Sequence, residues 1–471
     1  MKITDFERKL VEVIPSDRQL NHQKLEFYGF VHFTVNTFTD KEWGDGTESP
    51  SIFDPKEFDA EQWAKALSLA GMKGAVLTCK HHDGFCLWPS RFTDHTIAAS
   101  PFKGGKGDIV YEVSQAFKKY DLKLGIYLSP WDRNHPSYGK GKEYDDYFVN
   151  QLTELLTLYG DVFCVWLDGA CGEGSNGRIQ TYDWERYYEV IRKYQPGACI
   201  SVCGPDVRWC GNEAGDTREE EWSVVPERLK DKERIKENSQ KSDDAAFRQR
   251  KIASNDKDLG SRRVLEGETD LAWYPAEVNL SIRPGWFYHK SEDDKIRSLE
   301  NLISIYDHSV GGNAMMLLNI PPMPNGLFHE NDVNRLKELG EYIKKREVCN
   351  LVDKAVISSS RSEPGCEIEN VRKADGTGYF KTPDGIRSCK IELSWADPVV
   401  ISMVVIKEEI RLSQRIEKFL IVNGDTNQVI YTGKTVGYRK NAVFPEIKTR
   451  NLRIEILESR VAPAVSFLGV Y

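Results

Sequence analysis

Two carboxylates, three histidines and several aromatic residues fall just beyond short apolar runs of this 471-residue chain. His32 closes the run Tyr28–Phe33, with Asn36, Trp43 and Gly44 in the segment that follows. Lys80-His81-His82-Asp83-Gly84-Phe85 follows Gly74–Cys79, and Tyr127 leads into Ser129-Pro130-Trp131. Trp166 precedes Asp168-Gly169, and Ala198–Cys203 opens into Gly204–Gly215, which holds Asp206, Trp209 and Glu213. Two well-separated carboxylates suit cleavage of a glycosidic bond with retention. One attacks the anomeric carbon; the other, about 5–5.5 Å away, protonates the leaving oxygen and then activates water. Neutral imidazole and indole N–H groups can bind sugar hydroxyls, while ring faces cover the apolar side of a pyranose.

Each residue also has a plainer reading. Asp-Gly after a strand is a common tight turn. Of His81 and His82, one can pack inward and the other cap. Glu213, in a Gly-rich loop, can simply be solvated. A second chemistry uses His32, His81, His82 and Asp168 as metal ligands in a barrel hydrolase. Its weakness is spacing, because barrel metal sites take an H-x-H pair, whereas neighbours on a strand start on opposite faces. A non-catalytic sugar-binding protein is a third reading, but it has no need of both Asp168 and Glu213.

The elements that must position these residues are legible as an alternation. Candidate strands are Tyr28–Phe33, Gly74–Cys79, Lys123–Ser129, Asp161–Leu167, Ala198–Cys203 and Ala314–Ile320. Helical spacing fills the intervals at Asp59–Leu69, Gly107–Tyr120, Tyr144–Tyr159, Trp184–Tyr194 and Asp294–Tyr306. Near-continuous apolar strands alternating with amphipathic helices predict a parallel sheet buried on both faces. About six β/α units are clear, with two poorly defined strands between Pro205 and Arg283. The length, and the absence of a GxGxxG loop after the first strand, favour an α/β fold of the (β/α)₈ barrel type. Such barrels carry their active site at the carboxyl ends of the strands.

After the helix Glu330–Arg346 the pattern changes. Only β-type runs follow: Lys354–Ser359, Cys389–Trp395, Val399–Ile406, Lys418–Val422, Val429–Thr432, Leu452–Leu457 and Ala464–Val470. Turns at Ala374-Asp375-Gly376, Pro383-Asp384-Gly385 and Asn423-Gly424-Asp425 punctuate them. This predicts a catalytic barrel over 1–346 and an all-β sandwich over 347–471. Its aromatics, Trp395, Tyr431, Tyr438 and Phe444, are scattered, so bracing of the barrel is favoured over glycan binding.

Composition narrows the partners. A net charge of −8, with no basic stripe, argues against nucleic acid. No apolar run is long enough to span a bilayer. The ten cysteines form no CxxC or Cys/His zinc spacing, and free thiols are expected. The opening segment lacks the apolar core of a signal peptide, which predicts a cytoplasmic protein, or a periplasmic or secreted one where a signal has been removed. The aromatic content, 11%, suits a sugar cleft as well as the core of a large barrel.

Four motifs in order carry a resemblance: GFVHF…EWG (Gly29–Gly44), KHHDGFCLW (Lys80–Trp88), VWLDG (Val165–Gly169) and MLLNIPPMPNGLF (Met316–Phe328). Together they resemble the α-L-fucosidases of glycoside hydrolase family twenty-nine, over roughly Tyr28 to Arg346; a trailing β-sandwich is usual there. The resemblance implies that Asp168 is the nucleophile and that His32, His81 and His82 bind fucose. It places Trp43, Tyr127 and Trp166 among the ring and hydroxyl contacts. The acid/base matches Glu213 in RWCGNEAG, with Glu219, Glu220 and Glu221 as rivals. Arg283 and Trp286, in SIRPGWFYH, resemble part of the pocket of a subgroup acting on α-1,3- and α-1,4-linked fucose. The implied partners are fucosylated oligosaccharides or glycoconjugates, with no cofactor and no metal. Asp168 should then receive hydrogen bonds, and Glu213 should have a raised pKa from burial or from Asp168.

Overall fold

The computed structural model describes residues 3–373 and 376–471, so two residues of the expected turn at Ala374-Asp375-Gly376 lie outside the described residues. Eight parallel strands form one sheet: β1 (Phe27–Val31), β2 (Gly74–Lys80), β3 (Lys123–Leu128), β4 (Val162–Leu167), β5 (Cys199–Val202), β6 (Arg208–Trp209), β7 (Ala276–Ser281) and β8 (Ala314–Asn319). Their order is β5-β4-β3-β2-β1-β8-β7-β6, and a parallel bridge between Ser201 and Val207 brings the two ends together as a barrel. β6 and β7 are the two strands that the sequence leaves poorly defined.

Helices follow most strands and cover the outside. Ala60–Leu69, Ile109–Lys119, Lys142–Leu158 and Trp184–Tyr194 follow β1 to β4, and Leu299–Ser309 and Glu330–Glu347 follow β7 and β8. Asp59 and Asp108 accept backbone N–H groups of the first turns they precede, which fixes where those helices begin. The helix expected from Asp294 starts instead at Leu299. Ser298 caps it, and the Arg297 N–H is taken by the carbonyl of Ile282 at 2.9 Å.

No helix separates β5 from β6. The short connection reverses through Val202, a β-branched residue at φ +67°, a conformation such residues rarely adopt. The long excursion between β6 and β7 carries an antiparallel pair, Val224–Pro226 with Leu271–Trp273, and the helix Lys232–Asn238. This excursion supplies one wall of the site described below.

Among the described residues the second unit has seven antiparallel strands, including two of twenty residues, Cys389–Glu408 and Lys440–Ser459. The first joins two runs that the sequence shows as separate, with a register shift between Ser394 and Val399. The second extends the expected Leu452–Leu457 backwards past Pro445. That proline falls where the register shifts between Ile401 and Met403, which suits a residue with no N–H for the ladder. Ile391, Leu393, Phe419, Ile454 and Val465 fill the core of this β-sandwich.

Polar contacts tie the two units. Buried Arg439 reaches Glu26 at 3.0 Å and also pairs with Glu347, while Lys407 meets Glu26 at 2.6 Å. Gln414 accepts the Ser223 N–H at 2.8 Å, so the sandwich also holds the excursion. All ten cysteines are free thiols, and among the described residues no helix is long and apolar enough to cross a membrane.

Candidate active site

A pocket of about 630 Å³, open to solvent, lies at the carboxyl ends of the barrel strands. Asp168, one residue beyond β4, projects into it. Its Oδ2 accepts the Tyr127 hydroxyl at 2.8 Å, and its Oδ1 accepts the Ala170 N–H at 2.8 Å. The second contact spans two residues and is a local turn, so the turn reading of Asp168 and the pocket reading both hold. Gly169 is there for space rather than for a positive φ: a Cβ would lie 2.1 Å from Ser239 Oγ. Glycine thereby leaves room for Ser239, which lines the pocket together with Gln240.

Glu213 enters from the loop after β6. Asn212 shapes that loop, its Oδ1 accepting the N–H groups of Ala214 and Asp216, each at 3.0 Å. Glu213 Oε2 accepts the Trp286 indole N–H at 2.9 Å. Burial pushes its carboxyl up to about 7; the Trp286 hydrogen bond opposes that shift and the charge of Asp168 adds to it. One carboxylate is thus supplied with two donors, while the other is poised to hold its proton near neutrality.

His32, His81 and His82 all line the pocket. The sequence reading that splits His81 and His82 between two faces is corrected here. β2 ends at Lys80, so strand alternation no longer applies, and the two rings sit 4.1 Å apart on the same wall. Their neighbours in the motif are structural: buried Lys80 pairs with Asp132 at 2.9 Å, and Asp83 accepts from Thr34 and from the Phe85 N–H. Burial lowers His32 to about 3 and His82 to about 4, and takes His81 well below its ordinary value, so all three rings are neutral at pH 7. The Ser129 hydroxyl is donated to the Trp131 carbonyl, so His82 Nδ1 must donate to Ser129, at 2.8 Å. That leaves the His82 Nε2 lone pair, 3.7 Å from Asp168, as an acceptor for a substrate hydroxyl. Among the described residues no three His, Cys, Asp or Glu side chains converge in a metal-binding group.

Trp43, Trp166 and Trp286 line the pocket as aromatic walls. The Trp166 N–H is turned inward to Glu277 at 2.8 Å, which leaves its ring as the exposed surface. Tyr127 is fully buried and reaches the pocket through Asp168.

Arg283 departs from expectation. Its side chain is 0% exposed, pairing with Asp332 at 2.8 Å and Asp293 at 2.9 Å behind the pocket wall. It holds the segment that presents Trp286 and is not itself part of the lining. Of the rivals to Glu213, Glu221 is buried between Arg208 and Arg218, which hold its carboxyl below the usual range against the upward push of burial. Glu220 pairs with Lys434 of the sandwich, and neither it nor Glu219 lines the pocket.

Several lining residues escaped sequence reasoning. Glu42 accepts the N–H groups of Trp286 and Phe287 at 2.8 and 3.0 Å, and His289 Nε2 sits 2.8 Å away. The sequence signal for Glu42 is its place in the Glu42-Trp43-Gly44 motif. Asn279 lines the pocket beside Glu277, which anchors Tyr28, Trp166 and Asn279. The inward alternation Glu277, Asn279, Ser281 was the available signal for both.

A family model described as α-L-fucosidase matches residues 15–347. The Arabidopsis thaliana protein α-L-fucosidase 1 is 36% identical over 468 residues, covering 97% of this chain and 87% of its own length. A solved structure from Bacteroides ovatus ATCC 8483 is 42% identical with a TM-score of 0.85, covering 100% of this chain and 76% of that one. A Ruminococcus gnavus fucosidase of glycoside hydrolase family 29, solved with fucose, is 31% identical with a TM-score of 0.83, covering 98% and 95%. With the family model matching the barrel, and the relative and solved structures running through the sandwich as well, the chain belongs to the α-L-fucosidase family of glycoside hydrolases.

Proposed function

We propose that this α-L-fucosidase is a retaining exo-enzyme that removes α-1,3- and α-1,4-linked fucose from branched, Lewis-type glycans. Asp168 attacks the anomeric carbon and forms a fucosyl ester, while Glu213 gives its proton to the departing oxygen. Water then enters, Glu213 takes a proton from it, and Asp168 leaves as the carboxylate. The observation that carries this reading is the unequal environment of the two carboxylates. Glu213 is raised to about 7 chiefly by burial, with a smaller contribution from the charge of Asp168. Esterification removes that charge, so the Glu213 carboxyl becomes more acidic when it must act as a base. The neutral His32, His81 and His82 supply the hydroxyl contacts, and Trp43 and Trp286 the ring faces.

The linkage reading rests on the loop holding Glu213 and on Ser281–His289, which meet through the Trp286–Glu213 hydrogen bond. A branch sugar held there orients the reacting bond, so its removal costs turnover as well as affinity. The test is kcat/KM on Lewis x trisaccharide against the fucosyl-N-acetylglucosamine disaccharide that lacks galactose. The trisaccharide is expected to be better by on the order of tenfold or more, about 1.4 kcal/mol. Agreement within about threefold, under 1 kcal/mol, overturns the linkage reading.

A further inference from the structure

Beside the fucose pocket lies a second cavity of about 890 Å³. Trp209 lines both, standing as the wall between them. The second cavity is cationic on a chain whose net charge is −8. Arg208, Arg218, Arg234, Arg250 and Lys251 line it, opposed on the lining by Asp256 alone. Glu221, behind the wall, neutralises part of Arg208 and Arg218, which leaves an excess of positive charge facing the cavity.

The hydrogen bonding of these cations is incomplete. Arg208 is 5% exposed and donates to Glu221, to the Trp222 carbonyl and to the Tyr274 carbonyl. Its Nη1 is buried and, among the described residues, has no partner. A buried guanidinium nitrogen with no acceptor is costly, and native structures rarely keep one without reason. Among the described residues Arg250 donates only to the carbonyls of Gly211 and Asn238, its plane lying over Phe247 at 3.9 Å and Trp209 at 5.1 Å. Lys251 is exposed, and among the described residues it has no ion pair. Planar guanidinium donors and an ammonium around one space match the oxygens of a carboxylate or sulfate.

We propose that this second cavity is an oxyanion site that takes a carboxylate or sulfate group. Its place points to the source. Gly211 lines it two residues before Glu213, on the side where the proposed acid meets the leaving group. An acidic group on the sugar chain left behind therefore fits, and this part rests on the role proposed for Glu213. A free inorganic anion has the same chemistry, and binding it depends on no catalytic assignment.

Two measurements on the full-length protein test the site, each repeated on the double variant Arg234→Gln/Lys251→Gln. Calorimetric titration with sodium sulfate, against sodium chloride at matched ionic strength, reads anion binding without turnover. The ratio of kcat/KM for a Lewis-type trisaccharide sulfated on galactose to that of its neutral parent reads use of the site by substrate. Sulfate is expected to bind where chloride does not, the sulfated substrate to be favoured by on the order of tenfold, and both effects to fall in the variant. Sulfate binding with a ratio near one supports the site with a free anion as its occupant. A raised ratio without sulfate binding supports it with the glycan's own acid. Loss of neither effect in the variant, or absence of both in the parent protein, overturns it.

Discussion

The indole Nε1 of Trp286 donates a 2.9 Å hydrogen bond to Oε2 of Glu213, so one ring of the pocket wall also sets the ionisation of the proposed acid. The bond favours the carboxylate, against burial, which raises the group to about 7. In the proposed mechanism Glu213 acts first as an acid, so activity is expected below its pKa and lost as pH rises through it. The alkaline limb of kcat/KM is therefore expected near pH 7. Trp286→Phe removes the donor, destabilises the carboxylate and moves that limb upward. A pH profile of the two proteins checks this, and a limb that moves downward or stays in place contradicts it.

Replacing Glu213 separates acid catalysis from other roles. Proton donation matters in proportion to how poor the leaving group is, and contributes roughly 10²–10⁴-fold. Glu213→Gln is expected to lose about that factor on Lewis x trisaccharide, with its alkoxide leaving group, and far less in the fucosylation step with fucosyl fluoride. Equal losses on the two donors point to a structural role.

Glu42 is expected to act through Trp286. Its carboxylate accepts the Trp286 and Phe287 N–H groups and pairs with His289, which it raises to about 9. Glu42→Gln should lower the His289 pKa, read by NMR titration, since the Glu42 hydrogen bond is the largest cause of the shift. It should also lower kcat/KM by on the order of tenfold, from loss of one hydrogen bond to a charged group, about 1.5 kcal/mol. An unmoved His289, or unchanged kinetics, removes Glu42 from the positioning of Trp286.

How much of this was open to a reader of the sequence depended on which face each strand buries. β1 to β5 and β8 are near-continuous apolar runs, and they and the residues that follow them could be placed. β7 could not, because Glu277, Asn279 and Ser281 alternate inward and break the apolar run that identifies a barrel strand. β6 has two residues, too few for any periodicity, and no helix precedes it. Trp286 and Arg283 share one motif, yet only the tryptophan lines the pocket. The partners that hold Arg283 behind the wall, Asp293 and Asp332, are 10 and 49 residues away, and no local pattern pairs them.

Arg283 is accordingly expected to report on stability. Arg283→Met leaves Asp332 buried without its cation and should destabilise the protein by about 3–5 kcal/mol. Adding Asp332→Leu should recover part of that loss, because the uncompensated charge goes with it. Denaturant unfolding measures both, and a single variant as stable as the parent but with a raised KM would return Arg283 to substrate binding.

The most direct test of the double-displacement account is the site of covalent labelling. A 2-deoxy-2-fluoro-fucosyl fluoride donor slows both steps, hydrolysis of the ester most, so a fucosyl-enzyme accumulates and its position can be read by peptide mass mapping. The account predicts one added 2-fluorofucosyl group, carried by Asp168 and absent from Asp168→Asn. Turnover of the donor with no adduct, or an adduct on Glu213 or any other carboxylate, contradicts it.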